Sequence, residues 1–105
     1  MVKLDRTNFL LWESLILPTI RGNKLEGYIT GAKKCRVQFL DDGKEKKLNP
    51  EFEDWVAYDQ LLLGCLFNSM TLDIASQLIH YKTSKDLSTA ARELLAQTLD
   101  NESLF

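Results

Sequence analysis

Two segments headed by tryptophan, Asn8-Phe9-Leu10-Leu11-Trp12 and Trp55-Val56-Ala57-Tyr58-Asp59, constrain this chain more than anything else in it. Each opens a stretch whose apolar residues recur at three- and four-residue spacing, and bulky aromatics so placed nucleate helix-on-helix packing. A chain of 105 residues has room for one core, burying roughly two thirds of its unfolded surface. Residues 1–105 are therefore read as a single domain with Trp12 and Trp55 both largely buried in one shared core.

The segments between these anchors carry helix signals of their own. Asn8 is a candidate N-cap, and Phe9, Trp12, Ile16 and Ile20 form an apolar stripe that Leu11 and Leu15 widen. Pro18 predicts either a kink or an end near Leu17, with Gly22 as the point where the chain turns. Leu25, Tyr28 and Ile29 fit one short helix, closed by Gly31 in a left-handed conformation. Asn49-Pro50 pairs a capping side chain with a proline whose missing amide costs nothing at the first helical position. The stretch it opens is apolar on nearly all sides after Tyr58, the mark of a central, buried helix that includes Leu66. Thr71 and Thr83 or Ser84 are caps for two further helices. No β-type alternation of useful length appears, so the predicted class is all-α, a compact bundle of about five helices.

Residues 31–49 are the least ordered part of that prediction, an exposed basic loop pinned by Phe39. From Ala32 to Asn49 there are six basic and three acidic residues and a turn signal at Asp42-Gly43. Lys33, Lys34, Arg36, Lys44, Lys46 and Lys47 offer contacts to nucleic-acid phosphates, weak at most because Asp41, Asp42 and Glu45 lie among them. The formal net charge is −2, yet residues 1–50 hold ten Lys/Arg and six Asp/Glu while residues 51–105 hold three and nine. A layout of that kind either orients copies head to tail or reflects which faces are solvated.

Little in the sequence points to catalysis or cofactors. His80 is the only histidine and has no carboxylate or thiol at ligand spacing. Cys65, among Leu63, Leu66 and Phe67, reads as a buried and inert thiol rather than a nucleophile for His80. Asp59, a carboxylate on an apolar helix, needs a partner, either a basic residue of the first helix or a helix N-terminus that it caps. The five glycines form no phosphate-binding loop. The expectation is no enzyme, no cofactor and no metal. Two distant cysteines suit a reducing, cytoplasmic compartment, and no stretch approaches the roughly 18 apolar residues of a membrane span.

Taken together, Asn8-Phe9-x-x-Trp12, Leu25-x-Gly27-Tyr28-Ile29-x-Gly31, Trp55-x-x-x-Asp59, Ser69 and Thr83-Ser84-Lys85-Asp86-Leu87 resemble the N-terminal part of the Gag polyprotein of plant copia-type LTR retrotransposons. The resemblance covers about residues 4–95 and departs at Ser88, where that family usually has tryptophan. It implies a helical domain like the N-terminal lobe of a retroviral capsid, whose work is self-association into particles around retroelement RNA, without enzymatic activity. With no second lobe, zinc knuckle or polymerase region in these residues, a truncated or host-domesticated Gag fragment is the expectation.

The partner is then itself, as a homodimer, or another Gag-like chain. Leu87, Leu94, Leu95 and Leu99, with Leu104 and Phe105, supply more apolar surface than one terminal helix normally buries, which makes the last helix the predicted self-association surface. Residues 98–105 either fray or are exchanged between copies. The alternative from another class is a host adaptor that binds a peptide in a groove between helices.

Overall fold

A computed structural model of the chain describes residues 2–41, 43 and 45–103, without the side chains of 96–103. Five helices carry it: α1 (Phe9–Gly22), α2 (Glu26–Thr30), α3 (Pro50–Asn68), α4 (Leu72–Leu78) and α5 (Ser84–Ser103). An antiparallel hairpin of β1 (Phe39–Asp41) and β2 (Lys46–Leu48) lies between α2 and α3. The all-α prediction is thus corrected to a mostly helical fold with one small sheet. The hairpin escaped notice because all six of its residues are exposed: with neither face buried, period-two alternation of polarity has nothing to record.

Helix α1 buries Phe9, Trp12, Ile16 and Ile20, the predicted stripe. It does not stop at Leu17. Pro18 lies on the exposed side, where the Ser14 carbonyl that loses its amide partner can turn to water. Asn8 is not a side-chain cap. Its carboxamide instead closes the preceding turn, accepting from the Asp5 amide at 2.8 Å and donating to the Lys3 carbonyl at 2.9 Å. The turn after α1 is made not by Gly22 but by Lys24, which has φ 60°. Gly31 does adopt the predicted left-handed cap, with φ 87°.

Asn49 caps α3 as predicted, its side chain accepting from the Glu51 amide at 3.0 Å. The same carboxamide donates to the Val37 carbonyl at 2.9 Å, so Asn49 ties the hairpin to the helix. Phe39, expected to pin this region, is 50% exposed. Helix α3 buries only Asp59, Leu62, Leu63 and Leu66. Leu61 is 59% exposed, and Tyr58 and Cys65 are exposed too, which corrects the reading of an all-round buried helix and of an inert internal thiol. Helix α4 buries Ile74 and Leu78 and exposes Leu72, Ile79 just beyond it is exposed too, and Thr71 makes no side-chain cap.

The core joins these faces to Leu87, Ala90, Ala91 and Leu95 of α5 and to Tyr28 of α2. Leu4, fully buried, completes it from the segment before α1: its amide donates to the Ser69 carbonyl at 2.8 Å and its carbonyl accepts from the Thr71 amide at 2.9 Å. Nothing in the local pattern around Leu4 marks it as core, because a two-bond bridge has no periodicity.

Candidate functional site

Three ties hold the helices, and each joins two of the sequence motifs. Trp12 donates its indole N–H to Ser69 Oγ at 3.0 Å, and that hydroxyl donates to the Leu66 carbonyl at 2.7 Å. Tyr28 packs against Trp55 with ring centroids 5.6 Å apart, and Trp55 donates its indole N–H to the Lys33 carbonyl at 2.8 Å. Asp59, 1% exposed, accepts the Ser84 amide at 3.1 Å through Oδ1, while Ser84 Oγ donates to the Asp59 carbonyl at 2.9 Å. Of the two partners considered for Asp59, the structure therefore provides the helix start, at α5, and not a basic residue of α1. Thr83 is the side-chain cap of that helix, accepting the Asp86 amide at 3.2 Å.

Since Trp12 near the start of α1 meets Ser69 beyond the end of α3, and Tyr28 beyond α1 meets Trp55 near the start of α3, α1 and α3 run antiparallel. Trp55 is only half-buried, at the rim rather than in the centre. Of the two tryptophans expected to be largely buried in one core, Trp12 is buried within it and Trp55 is partly buried and packs against it. Trp55 instead clamps the chain that leaves α2.

These ties leave two surfaces. The first is an apolar cleft of about 440 Å³ between α1 and α3, lined by residues that include Ile16, Thr19, Leu61 and Cys65. Leu15 and Leu11 continue the Thr19 edge in four-residue steps, and both are exposed. Leu72 stands 86% exposed just beyond α3.

The second surface lies where α2, the segment after it, the first half of α3 and the start of α5 meet. Lys33 Nζ stands 5.4 Å from the Tyr28 ring centroid, and Tyr58 lies 6.4 Å from Tyr28 on the outer side. Two glycines let lysine stems lie close to α2: a Cβ on Gly27 would stand 2.7 Å from Lys33 Cγ, and one on Gly31 would stand 3.2 Å from Lys85 Nζ. Burial, with Tyr58 and the carboxylates of Asp59 and Asp54 adding to it, pushes the Tyr28 hydroxyl above its ordinary value, so the ring presents a neutral phenol.

Of the predicted self-association residues, Leu87 and Leu95 are fully or almost fully buried against the rest of the domain and offer no contact surface, which corrects that part of the prediction. Leu94 is partly buried against the core. The side chain of Leu99, and Leu104 and Phe105, lie outside the described residues, as does Lys44. Among the basic residues, Lys33, Lys34 and Arg36 come together beside Trp55, whereas Lys46 and Lys47 are carried away on β2. Among the described residues there is no group of three or more His, Cys, Asp or Glu able to hold a metal ion, and no helix long and apolar enough to cross a membrane.

Over 96 residues, 91% of its length, the chain is 19% identical to the Retrovirus-related Pol polyprotein from transposon RE1 of Arabidopsis thaliana, and 19% identical over 96 residues to that from transposon RE2 of the same plant. The chain spans 6% and 7% of the length of these two curated relatives. No protein-family profile matches it, and no solved structure does. The similarity supports a retrotransposon-derived region, and every residue of the three ties falls within the span of sequence that a match of this length must largely include.

Proposed function

We propose that the chain is a non-enzymatic, cytoplasmic assembly domain of the Gag part of a copia-type retrotransposon polyprotein, associating with a second copy of itself or with other Gag-like chains. The observation that carries this reading is the cluster of exposed leucines, Leu11, Leu15 and Leu61, around the apolar cleft between α1 and α3. An apolar cleft with exposed large apolar side chains beside it is the kind of surface that marks protein contact sites. The similarity to transposon polyproteins supports it, and the buried Leu87 and Leu95 move the proposed contact from α5 to the α1–α3 face.

Cys65 lines that cleft and is exposed, so it reports on the contact directly. In a two-fold dimer the same patch faces itself, and a short bifunctional maleimide should link two copies through Cys65. A Cys35→Ser protein is expected to crosslink as a dimer and a Cys65→Ser protein to remain uncrosslinked. Equal crosslinking of both, or of neither, contradicts the proposed face.

The concavity of the same cleft favours one second reading, a host adaptor that seats an apolar peptide helix there. Under that reading the isolated chain stays monomeric, and Leu61→Asp abolishes capture of the peptide partner instead of dimerisation.

A further inference from the structure

The groove beside Trp55 is built from two adjoining clefts, of about 560 and 320 Å³, that share Tyr28, Lys33, Lys34, Cys35 and Trp55. Its two ends differ in chemistry. The smaller end adds Gly31, Thr83 and Lys85, so three lysines line it and no carboxylate does. The larger end adds the exposed ring of Tyr58 together with Glu51 and Asp54, and Glu51 is already paired with Arg36 at 3.5 Å. Among the described residues neither Lys34 nor Lys85 has a carboxylate partner, and Lys33 rests over the Tyr28 ring. Lys33 Nζ also donates to the Lys24 carbonyl at 3.4 Å, so in a chain of formal net charge −2 Lys34 and Lys85 are the two cations of this groove without an ion-pair partner among the described residues, beside a third lysine that the fold holds over an aromatic ring.

Gly27 leaves the room in which the Lys33 stem lies, since a Cβ there would stand 2.7 Å from Lys33 Cγ, and the Lys85 ammonium lies against Gly31. We infer that this groove binds single-stranded nucleic acid, one phosphodiester lying among Lys33, Lys34 and Lys85 and a neighbouring base stacking on Tyr58. Cations that track the backbone and an aromatic face for a base are the two parts of such sites. The acid-free end takes the phosphate and the end containing Asp54 takes the uncharged base, so the distribution of carboxylates sets the direction across the groove. An acidic peptide would use the lysines and leave the ring of Tyr58 without a role. The site stands apart from the α1–α3 face and does not depend on assembly through it.

Three cations make a weak and salt-sensitive site. With a short fluorescein-labelled oligouridylate and the full chain, fluorescence anisotropy should give a dissociation constant in the micromolar range, and log affinity should fall against log salt with a slope of about −2, roughly −0.7 for each of three contacts on a single strand. The variant Lys34→Gln, Lys85→Gln should lower the slope to about −0.7. Tyr58→Ala should weaken binding by about fivefold or more at unchanged slope. Lys46→Gln, on the hairpin, should change neither.

Circular dichroism checks that each variant stays folded, and Lys46→Gln together with Tyr58→Ala keeps the test open should the double lysine variant unfold. Binding that falls as much in Lys46→Gln as in the groove variants would mean a diffuse basic surface and overturn the inference. Displacement of the oligonucleotide by inorganic polyphosphate or polyglutamate at equal charge, with Tyr58→Ala indistinguishable from the parent, would mean a generic polyanion contact and overturn it as well.

Discussion

Asp59 shows how one side chain fixes a joint between elements. Its carboxylate takes the first amide of α5, and the hydroxyl of Ser84 returns a bond to the backbone of α3, so both are buried and satisfied. Asp59→Leu would leave the Ser84 amide without an acceptor and should cost about 1–3 kcal/mol in urea unfolding. Asp59→Asn keeps an oxygen at Oδ1 and should cost less. A leucine variant as stable as the parent would show that the joint is not held there.

The tryptophans separate in the same way. Trp12→Ala empties the core and strands Ser69, and should cost about 3–5 kcal/mol, whereas Trp55→Ala removes a rim contact and should cost clearly less. Thermal melts of the two variants check the order. Asp5 gives a pH signal: hydrogen bonds from the Thr7 hydroxyl and amide hold its carboxyl below the usual 3.8. Its folded value being depressed, the contribution is present above the unfolded value and is lost as pH falls through the folded one. Thr7→Val should raise the Asp5 titration midpoint seen by NMR.

At the scale of elements, helix starts with a side-chain signature were legible. Asn49-Pro50 and Thr83 cap α3 and α5 because a side-chain oxygen beside a helical run has one obvious use. Asn8 and Thr71 carry the same signature and do not cap. The Asn8 carboxamide is engaged upstream by the Asp5 amide and the Lys3 carbonyl, contacts with an N-terminal segment whose course the local sequence does not specify, while Thr71 meets that segment only through its backbone amide, bonded to the Leu4 carbonyl.

The apolar run of α3 misled for a different reason. Hydrophobicity on all sides predicts burial, but Leu61, Tyr58 and Cys65 are exposed, and composition cannot tell a face covered by its own fold from one left open. The groove lysines were individually visible, yet their meeting with Lys85 depends on α2 and α5 touching across Gly31. The hairpin depends on Asn49 for its tether. Asn49→Ala should remove both the cap and the Val37 bond and cost about 1–2 kcal/mol, with loss of protection of the Asn49 amide, bonded to Gln38, in hydrogen exchange.

For the whole molecule, the arrangement is a small core closed by three ties, with an apolar cleft edged by exposed leucines on the α1–α3 side and a lysine-lined groove where α2, α3 and α5 meet. That division places the proposed assembly face and the inferred nucleic-acid groove on separate surfaces. It also predicts that Leu61→Asp, on an exposed position of α3, leaves folding intact while changing association, as a surface substitution away from caps and core shifts stability little.

The central claim is that the α1–α3 face joins copies of this chain. Sedimentation velocity of the unaltered protein over a concentration series, beside Leu61→Asp, tests it most directly. The parent should move from monomer to dimer as concentration rises, and Leu61→Asp should remain a folded monomer throughout. A parent that stays monomeric at high micromolar concentration, or a Leu61→Asp protein that dimerises as the parent does, would contradict the claim.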